Sequence, residues 1–248
     1  LNINVYPRIN SGVIGMDKTI CYGDSDTISF VQLPRGGGEL YSYLWQESLD
    51  GVAFDDIDEN DTIFHAANGV IDATFYRVVV YSRLGCSKDT SNVVKITVRP
   101  DFKSGSLSTQ LDSVCYGLQP QYQLSLASDC EGGAIPYHYQ WQYSGDGVNF
   151  SDVPNATATY LTPDTLYSTT YYRVMFESAA GCGTRYSNAH EIKVNPLPMP
   201  HPIVGDSLVC GAQYATYVLP TATDDYSYYW STTEGNGEIA SLSPNNDS

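Results

Sequence analysis

The 248 residues suffice for two domains of about 100 residues, each with its own core, and they carry 28 acidic against 12 basic side chains, a formal charge of −16. Such a surface repels phosphate backbones and anionic lipid headgroups, which excludes nucleic acid as a partner. No apolar run approaches the roughly 20 residues of a membrane span, so no membrane insertion is expected, and a chain with 16% charged residues but 21 Tyr suits half-polar strands better than helices.

In chain order the sequence repeats itself. Residues 1–6 are expected to be the last strand of a preceding repeat, because Val5-Tyr6-Pro7 followed by Ser11-Gly12 mirrors Val98-Arg99-Pro100 followed by Ser104-Gly105. The opening Leu1-Asn2-Ile3 does not read as a signal peptide. Residues 7–100 make the first repeat and residues 101–198 the second. Near the start of each stands Cys-Tyr-Gly, at Cys21-Tyr22-Gly23 and Cys115-Tyr116-Gly117. A strand follows, Tyr43-Leu44-Trp45-Gln46-Glu47-Ser48 in one copy and Tyr139-Gln140-Trp141-Gln142-Tyr143-Ser144 in the other, running into Asp50-Gly51 and Asp146-Gly147. Asp-Gly tolerates the positive φ of a tight hairpin, so a second antiparallel strand is predicted after it. Thr74-Phe75-Tyr76-Arg77-Val78 then matches Thr170-Tyr171-Tyr172-Arg173-Val174, at the constant offset of 96 that separates Trp45 from Trp141. Gly85-Cys86 and Gly181-Cys182, Ser91-Asn92 and Ser187-Asn188, and a closing strand complete each copy. Residues 199–248 restart with Asp206-Ser207-Leu208-Val209-Cys210 and read as the truncated start of a further module, so the array is expected to continue beyond both ends.

About seven short strands per copy, with no helical period, predict an all-β fold of tandem immunoglobulin-like Greek-key β-sandwiches in an extended array. Period-two alternation puts Tyr76, Val78 and Val80 on the core face, with Tyr172, Val174 and Phe176 in the second copy, and turns Arg77 and Arg173 away. Trp45 and Trp141 hold equal positions in the two copies, which favours core packing over a sugar-stacking platform. The six cysteines include no CxxC pair, which points to disulfides and an oxidising compartment. Their equal placement in the copies predicts bridges Cys21–Cys86 and Cys115–Cys182, each closing a loop of about 65 residues worth roughly 4 kcal/mol. Cys130 and Cys210 have no assigned partner.

No nucleophile, zinc, phosphate-loop or dinucleotide motif occurs, and His65, His138, His190 and His201 are scattered, so neither catalysis nor a cofactor is expected. Gly36-Gly37-Gly38 lacks the Lys-Ser/Thr partner of a phosphate cradle. Asp55, Asp56, Asp58 and Asp61 are a weak Ca²⁺ candidate, since a hard cation needs clustered oxygens. The run lacks the glycine and glutamate of an EF-hand, and a solvated acidic loop is the main reading.

Taken together, Cys-Tyr-Gly, Tyr-x-Trp-Gln-x-Ser-x-Asp-Gly-x-x-Phe, Thr-x-Tyr-Arg-Val, Gly-Cys and Ser-Asn resemble the immunoglobulin-like repeats of giant Bacteroidota cell-surface proteins over roughly residues 1–198. Val209-Cys210, Tyr229-Trp230-Ser231 and Gly235-x-Gly237-x-Ile239 resemble the first half of a PKD-like module. The resemblance implies type IX secretion, an extracellular place at the outer-membrane surface, and a structural and adhesive stalk of the gliding-motility or adhesin type. Implied partners are further repeats of the same chain, surface polysaccharide, and outer-membrane secretion or motility components. The alternatives are a carbohydrate-binding module of a larger extracellular enzyme and a scaffold bound to a secretion complex. The family also implies O-glycosylation where Asp-Ser/Thr precedes an aliphatic residue, as at Thr27, Thr62, Ser113, Thr165 and Ser207.

Overall fold

A computed structural model describes residues 3, 5–60, 63–85, 87–108, 112–199, 202–205 and 216–219, with the backbone alone at 58–60. The first repeat contains β1 (Val13–Ile14), β2 (Lys18–Ile20), β3 (Asp26–Gln32), β4 (Tyr41–Ser48), β5 (Asp55–Asn60), β6 (Phe64–Ala67), β7 (Thr74–Ser82), β8 (Lys88–Thr90) and β9 (Val94–Val98). The second contains β10 (Ser106–Leu107), β11 (Asp112–Cys115), β12 (Leu124–Ser128), β13 (Tyr137–Ser144), β14 (Ser151–Asp152), β15 (Tyr160–Leu161), β16 (Thr170–Ser178), β17 (Thr184–Tyr186) and β18 (His190–Asn195). Each repeat forms two sheets, β1-β3-β6 and β2-β9-β7-β4-β5 in the first, β10-β12-β15 and β11-β18-β16-β13-β14 in the second. β8 pairs with β7 and β17 with β16, and among the described residues every strand pairing stays within its own repeat. All pairs are antiparallel except β2 with β9 and β11 with β18. The chain is therefore all-β, two tandem immunoglobulin-like sandwiches.

The cores follow the alternation. Tyr76, Val78 and Val80, like Tyr172, Val174 and Phe176, are buried, and Trp45 and Trp141 are 0% exposed. The repeated polar residues form contacts between strands. Arg77 Nε donates to Gln46 Oε1 at 2.7 Å, Gln46 Nε2 donates to Asp56 Oδ1 at 2.6 Å, and the Arg77 guanidinium lies 3.8 Å over the Phe54 ring. The second repeat duplicates this ladder with Arg173, Gln142, Asp152 and Phe150. Ser-Asn serves the break between β8 and β9. There the Val78 N–H donates to Ser91 Oγ at 3.0 Å, while the Asn92 side chain accepts the Ile14 N–H and donates to the Ile14 carbonyl. Asn92 thus ties β1, in the other sheet, to the closing strand, as Asn188 ties Leu107.

The Asp-Gly turn is a carboxylate held by backbone donors. Asp146 Oδ1 accepts the Val148 and Asn149 N–H groups at 2.8 Å and the Ser144 hydroxyl at 2.7 Å. These bonds, the Asn149 N–H foremost, hold the Asp146 carboxyl well below the usual carboxylate range. The Val52 and Ala53 N–H groups, with Ser48, lower Asp50 in the same way. A depressed folded pKa contributes stability that is present above the unfolded value of 3.8 and is lost as pH falls through the folded value. Asp146→Asn, which keeps a neutral acceptor, is expected to flatten the acid limb of second-repeat stability below about pH 4. Urea midpoints taken between about pH 2 and 7 measure this, and parallel acid limbs in the two proteins would contradict it.

Candidate functional site

The most elaborated region is the passage from the first repeat to the second, through residues 98–102. On the first side, β2 runs parallel to β9 with Ile20 beside Val98, and the Arg99 N–H donates to the Ile20 carbonyl at 2.9 Å. Cys21 comes next and is held against the exit of its own domain. Its turn is closed by the Asp24 N–H on the Cys21 carbonyl at 3.1 Å and by the Gly23 N–H on the Val70 carbonyl at 2.9 Å.

On the second side, β16 and β17 form a hairpin whose tip spans residues 179–183. The Ala179 N–H and the Ser178 hydroxyl both donate to the Ala134 carbonyl, at 3.1 and 3.0 Å. The loop around Ala134 in turn grips the linker. The Gly133 N–H donates to the Pro100 carbonyl at 2.8 Å, and a Cβ on Gly132, at φ 74°, would stand 2.0 Å from the Asp101 carbonyl oxygen, so only glycine fits. From β17, the Arg185 guanidinium lies 3.9 Å from the Asp101 carboxylate and 5.7 Å over the Phe102 ring. Cys182 thus borders the entrance to its domain.

A disulfide joins Cys21 to Cys182 with Cα atoms 5.4 Å apart, across 161 residues of sequence. This corrects both expected bridges, Cys21–Cys86 and Cys115–Cys182. Cys115 pairs with Asn195, three residues beyond the Ile192–Thr170 pair, while the hairpin tip lies past the other end of the nine-residue β16. At 3.3 Å per residue the two are about 35 Å apart, whereas a disulfide needs Cα atoms within about 7 Å. The same geometry separates Cys21 from Gly85 and Ser87, the neighbours of Cys86; Cys86 itself and Cys210 lie outside the described residues. Cys115 is an exposed thiol in no disulfide. Cys130 is buried and its Sγ donates to Asp129 Oδ1 at 3.4 Å. Burial, aided by the Asp129 carboxylate, pushes this thiol up to about 12, which keeps it protonated and unreactive.

The acidic run is a strand and not the expected loop. Asp55 and Asp56 fall on β5, where successive side chains face opposite sides, and Asp56 is engaged by Gln46. Asp61 lies outside the described residues, as does the side chain of Asp58. Among the described residues no three His, Cys, Asp or Glu side chains are grouped to hold a metal. His190 is buried with both ring nitrogens occupied, Nδ1 by the Ser108 carbonyl at 2.7 Å and Nε2 by Asp112 at 2.9 Å, so neither nitrogen is open to a substrate. Beside it, burial and the Asp112 carboxylate push the Tyr122 hydroxyl up to about 12. The His65 ring lies tilted between those of Trp45 and Tyr76, 5.8 and 5.3 Å from their centroids. The buried Trp45 and Trp141 present no face to a sugar. Of the glycosylation candidates, Thr27, Ser113 and Thr165 are exposed; Thr62 and Ser207 lie outside the described residues.

A family profile described as a domain of unknown function (DUF8696) matches residues 10–100 and again residues 103–196. No curated protein matches the chain. Among solved structures, a set of titin domains is 20% identical, covering 77% of this chain and 68% of that one at a TM-score of 0.41. Three N-terminal domains of the outer capsid protein Hoc of bacteriophage RB49 are 10% identical, with coverages of 77% and 70% and a TM-score of 0.41. Sidekick-1 immunoglobulin domains 1–4 are 14% identical at a TM-score of 0.32; the match covers 77% of this chain and 48% of that one, about half its length.

Proposed function

The chain belongs to the DUF8696 family, two copies of whose domain it carries in tandem, and we propose that it is a non-catalytic stalk segment of a secreted bacterial cell-surface adhesin. The observation that carries this reading is the Cys21–Cys182 bond, which spans the junction and not the interior of a domain. A covalent link of that kind guards the direction along which an array is loaded. Such a bond forms and persists in an oxidising compartment, which supports a position outside a reducing cytoplasm. The repeat motifs support the finer reading of a Bacteroidota surface protein exported by the type IX route, attached at the outer membrane and serving adhesion or gliding, with residues 199–248 opening a further PKD-like or immunoglobulin-like module. Further repeats are its immediate partners, and surface polysaccharide or motility components its distal ones. The exposed hydroxyls of Thr27, Ser113 and Thr165 suit O-glycans, whose bulk would shield the stalk from proteases.

Small-angle scattering tests the stalk. An end-to-end arrangement adds about 40 Å per domain, so residues 7–198 are expected to reach roughly 80 Å, and a compact particle overturns the reading. A specific binder in a polysaccharide panel would favour the carbohydrate-binding module instead.

A further inference from the structure

Cys115 repeats the setting of Cys21 one domain further on. β11 runs parallel to β18 as β2 does to β9, and the Asn195 carbonyl accepts the Tyr116 N–H at 3.0 Å, beside the exit through residues 196–198. The turn is the same: the Leu118 N–H donates to the Cys115 carbonyl at 3.1 Å, the Gly117 N–H donates to the Leu166 carbonyl at 2.8 Å, and Gly117 has φ 76° where Gly23 has 77°. One difference stands out, since Cys21 is bonded to the following domain and Cys115 is exposed and in no disulfide. Around Cys115 the surface is apolar. Tyr116 is 43%, Leu118 57% and Tyr167 62% exposed, with the two tyrosine rings in edge contact at 5.3 Å. Such a collar is what an abutting domain would cover.

We propose that Cys115 is the next staple in a series, forming a disulfide with the hairpin cysteine of the following repeat, the residue that Cys182 is to the second repeat. The inference rests on the array reading, since it requires a following repeat. In the first repeat the residue in register with Cys182 is Cys86, so by sequence register the two repeats carry both halves of the link. The chemistry is thiol–disulfide exchange with a disulfide oxidant. The Cys115 thiolate attacks one sulfur of the oxidant and expels the other as a thiolate. The hairpin thiolate then attacks Cys115 Sγ and releases the remaining half. Two protein thiols are oxidised to one disulfide, and their two protons and two electrons pass to the oxidant, whose disulfide is reduced to two thiols.

The test uses the whole chain at high concentration with oxidised glutathione, where a second copy supplies the incoming repeat. A ladder of multimers on non-reducing gels is expected, with peptide mapping joining Cys115 to Cys86. Cys115→Ser should abolish the ladder while keeping the Cys21–Cys182 bond and the wild-type melting temperature, and Cys130→Ser should leave it intact. Cys115 found bonded to Cys130 or Cys210, capped by glutathione without multimers, or dispensable for the ladder overturns the staple. Scattering on the monomer judges the stalk separately: an extended monomer with an unlinked Cys115 sinks the staple alone.

Discussion

Pulled from residues 7 and 198, the chain is expected to extend by about 560 Å less with its junction disulfide intact than after reduction. The bonded cysteines stand 161 positions apart in the sequence, and a fully stretched chain spans about 3.5 Å per residue. With the bond in place, tension enters along residues 7–21, crosses the sulfur–sulfur link and leaves along residues 182–198. Everything from β3 to β16 lies inside the closed loop and cannot be drawn out, whereas β1, β2, β17 and β18, with the core residues Ile9, Ile14 and Ile192, stand on the loaded segments. Reduction, or Cys21→Ser, restores the full contour and lets the two repeats unfold one after the other. Single-molecule force spectroscopy with and without reductant reads the difference directly, and equal contour lengths in the two states would overturn it. Without force, closing a loop of this length stabilises by about 5 kcal/mol in the chain-entropy treatment, and that stabilisation is felt where both repeats unfold together.

Trp141→Ala is expected to cost the second repeat about 3–5 kcal/mol, a large share of the roughly 5–15 kcal/mol that holds a domain of this size. The side chain is 0% exposed and packs among Leu124, Leu161, Val174 and Ile192. Its indole N–H donates to the Ala158 carbonyl at 2.9 Å, so truncation leaves a cavity and removes that carbonyl's donor. Because every strand pairing among the described residues stays within one repeat, the first repeat should melt as in the unaltered chain while the second melts early. Calorimetry or repeat-resolved hydrogen exchange separates the two transitions. Trp141→Phe, which keeps much of the volume, should lose less. A variant within about 0.5 kcal/mol of the parent would place Trp141 on the surface and revive the sugar platform.

Much of this was legible in the residues, because the signals are local or duplicated. Alternation at Tyr76, Val78 and Val80 marks a buried face whatever the rest of the chain does. The repetition of Trp45 and Trp141 argues for a shared core without any coordinates. The acidic run was misread because charge suggested a loop. Asp55–Asn60 forms the outermost strand of its sheet, where one side faces solvent and charged residues are tolerated and even protective. The Arg77–Gln46–Asp56 ladder was visible as residue types and invisible as a contact, since Arg77 and Gln46 stand 31 residues apart.

The cysteines show where the sequence stops. By itself it determined that the chain is a tandem of disulfide-bearing sandwiches with cysteines at equal places in the copies. Equal places are equally compatible with pairing inside a repeat and pairing between neighbours, because a shift by one repeat carries Cys86 onto Cys182 and leaves the pattern unchanged. Only the tertiary structure decided between them. The parallel pairing of β2 with β9 sends Cys-Tyr-Gly to the exit of each domain, the β16–β17 hairpin sends its cysteine to the entrance, and about 35 Å of strand lies between. A bond that must close within about 7 Å can then be made only across the junction, where Cys21 meets Cys182.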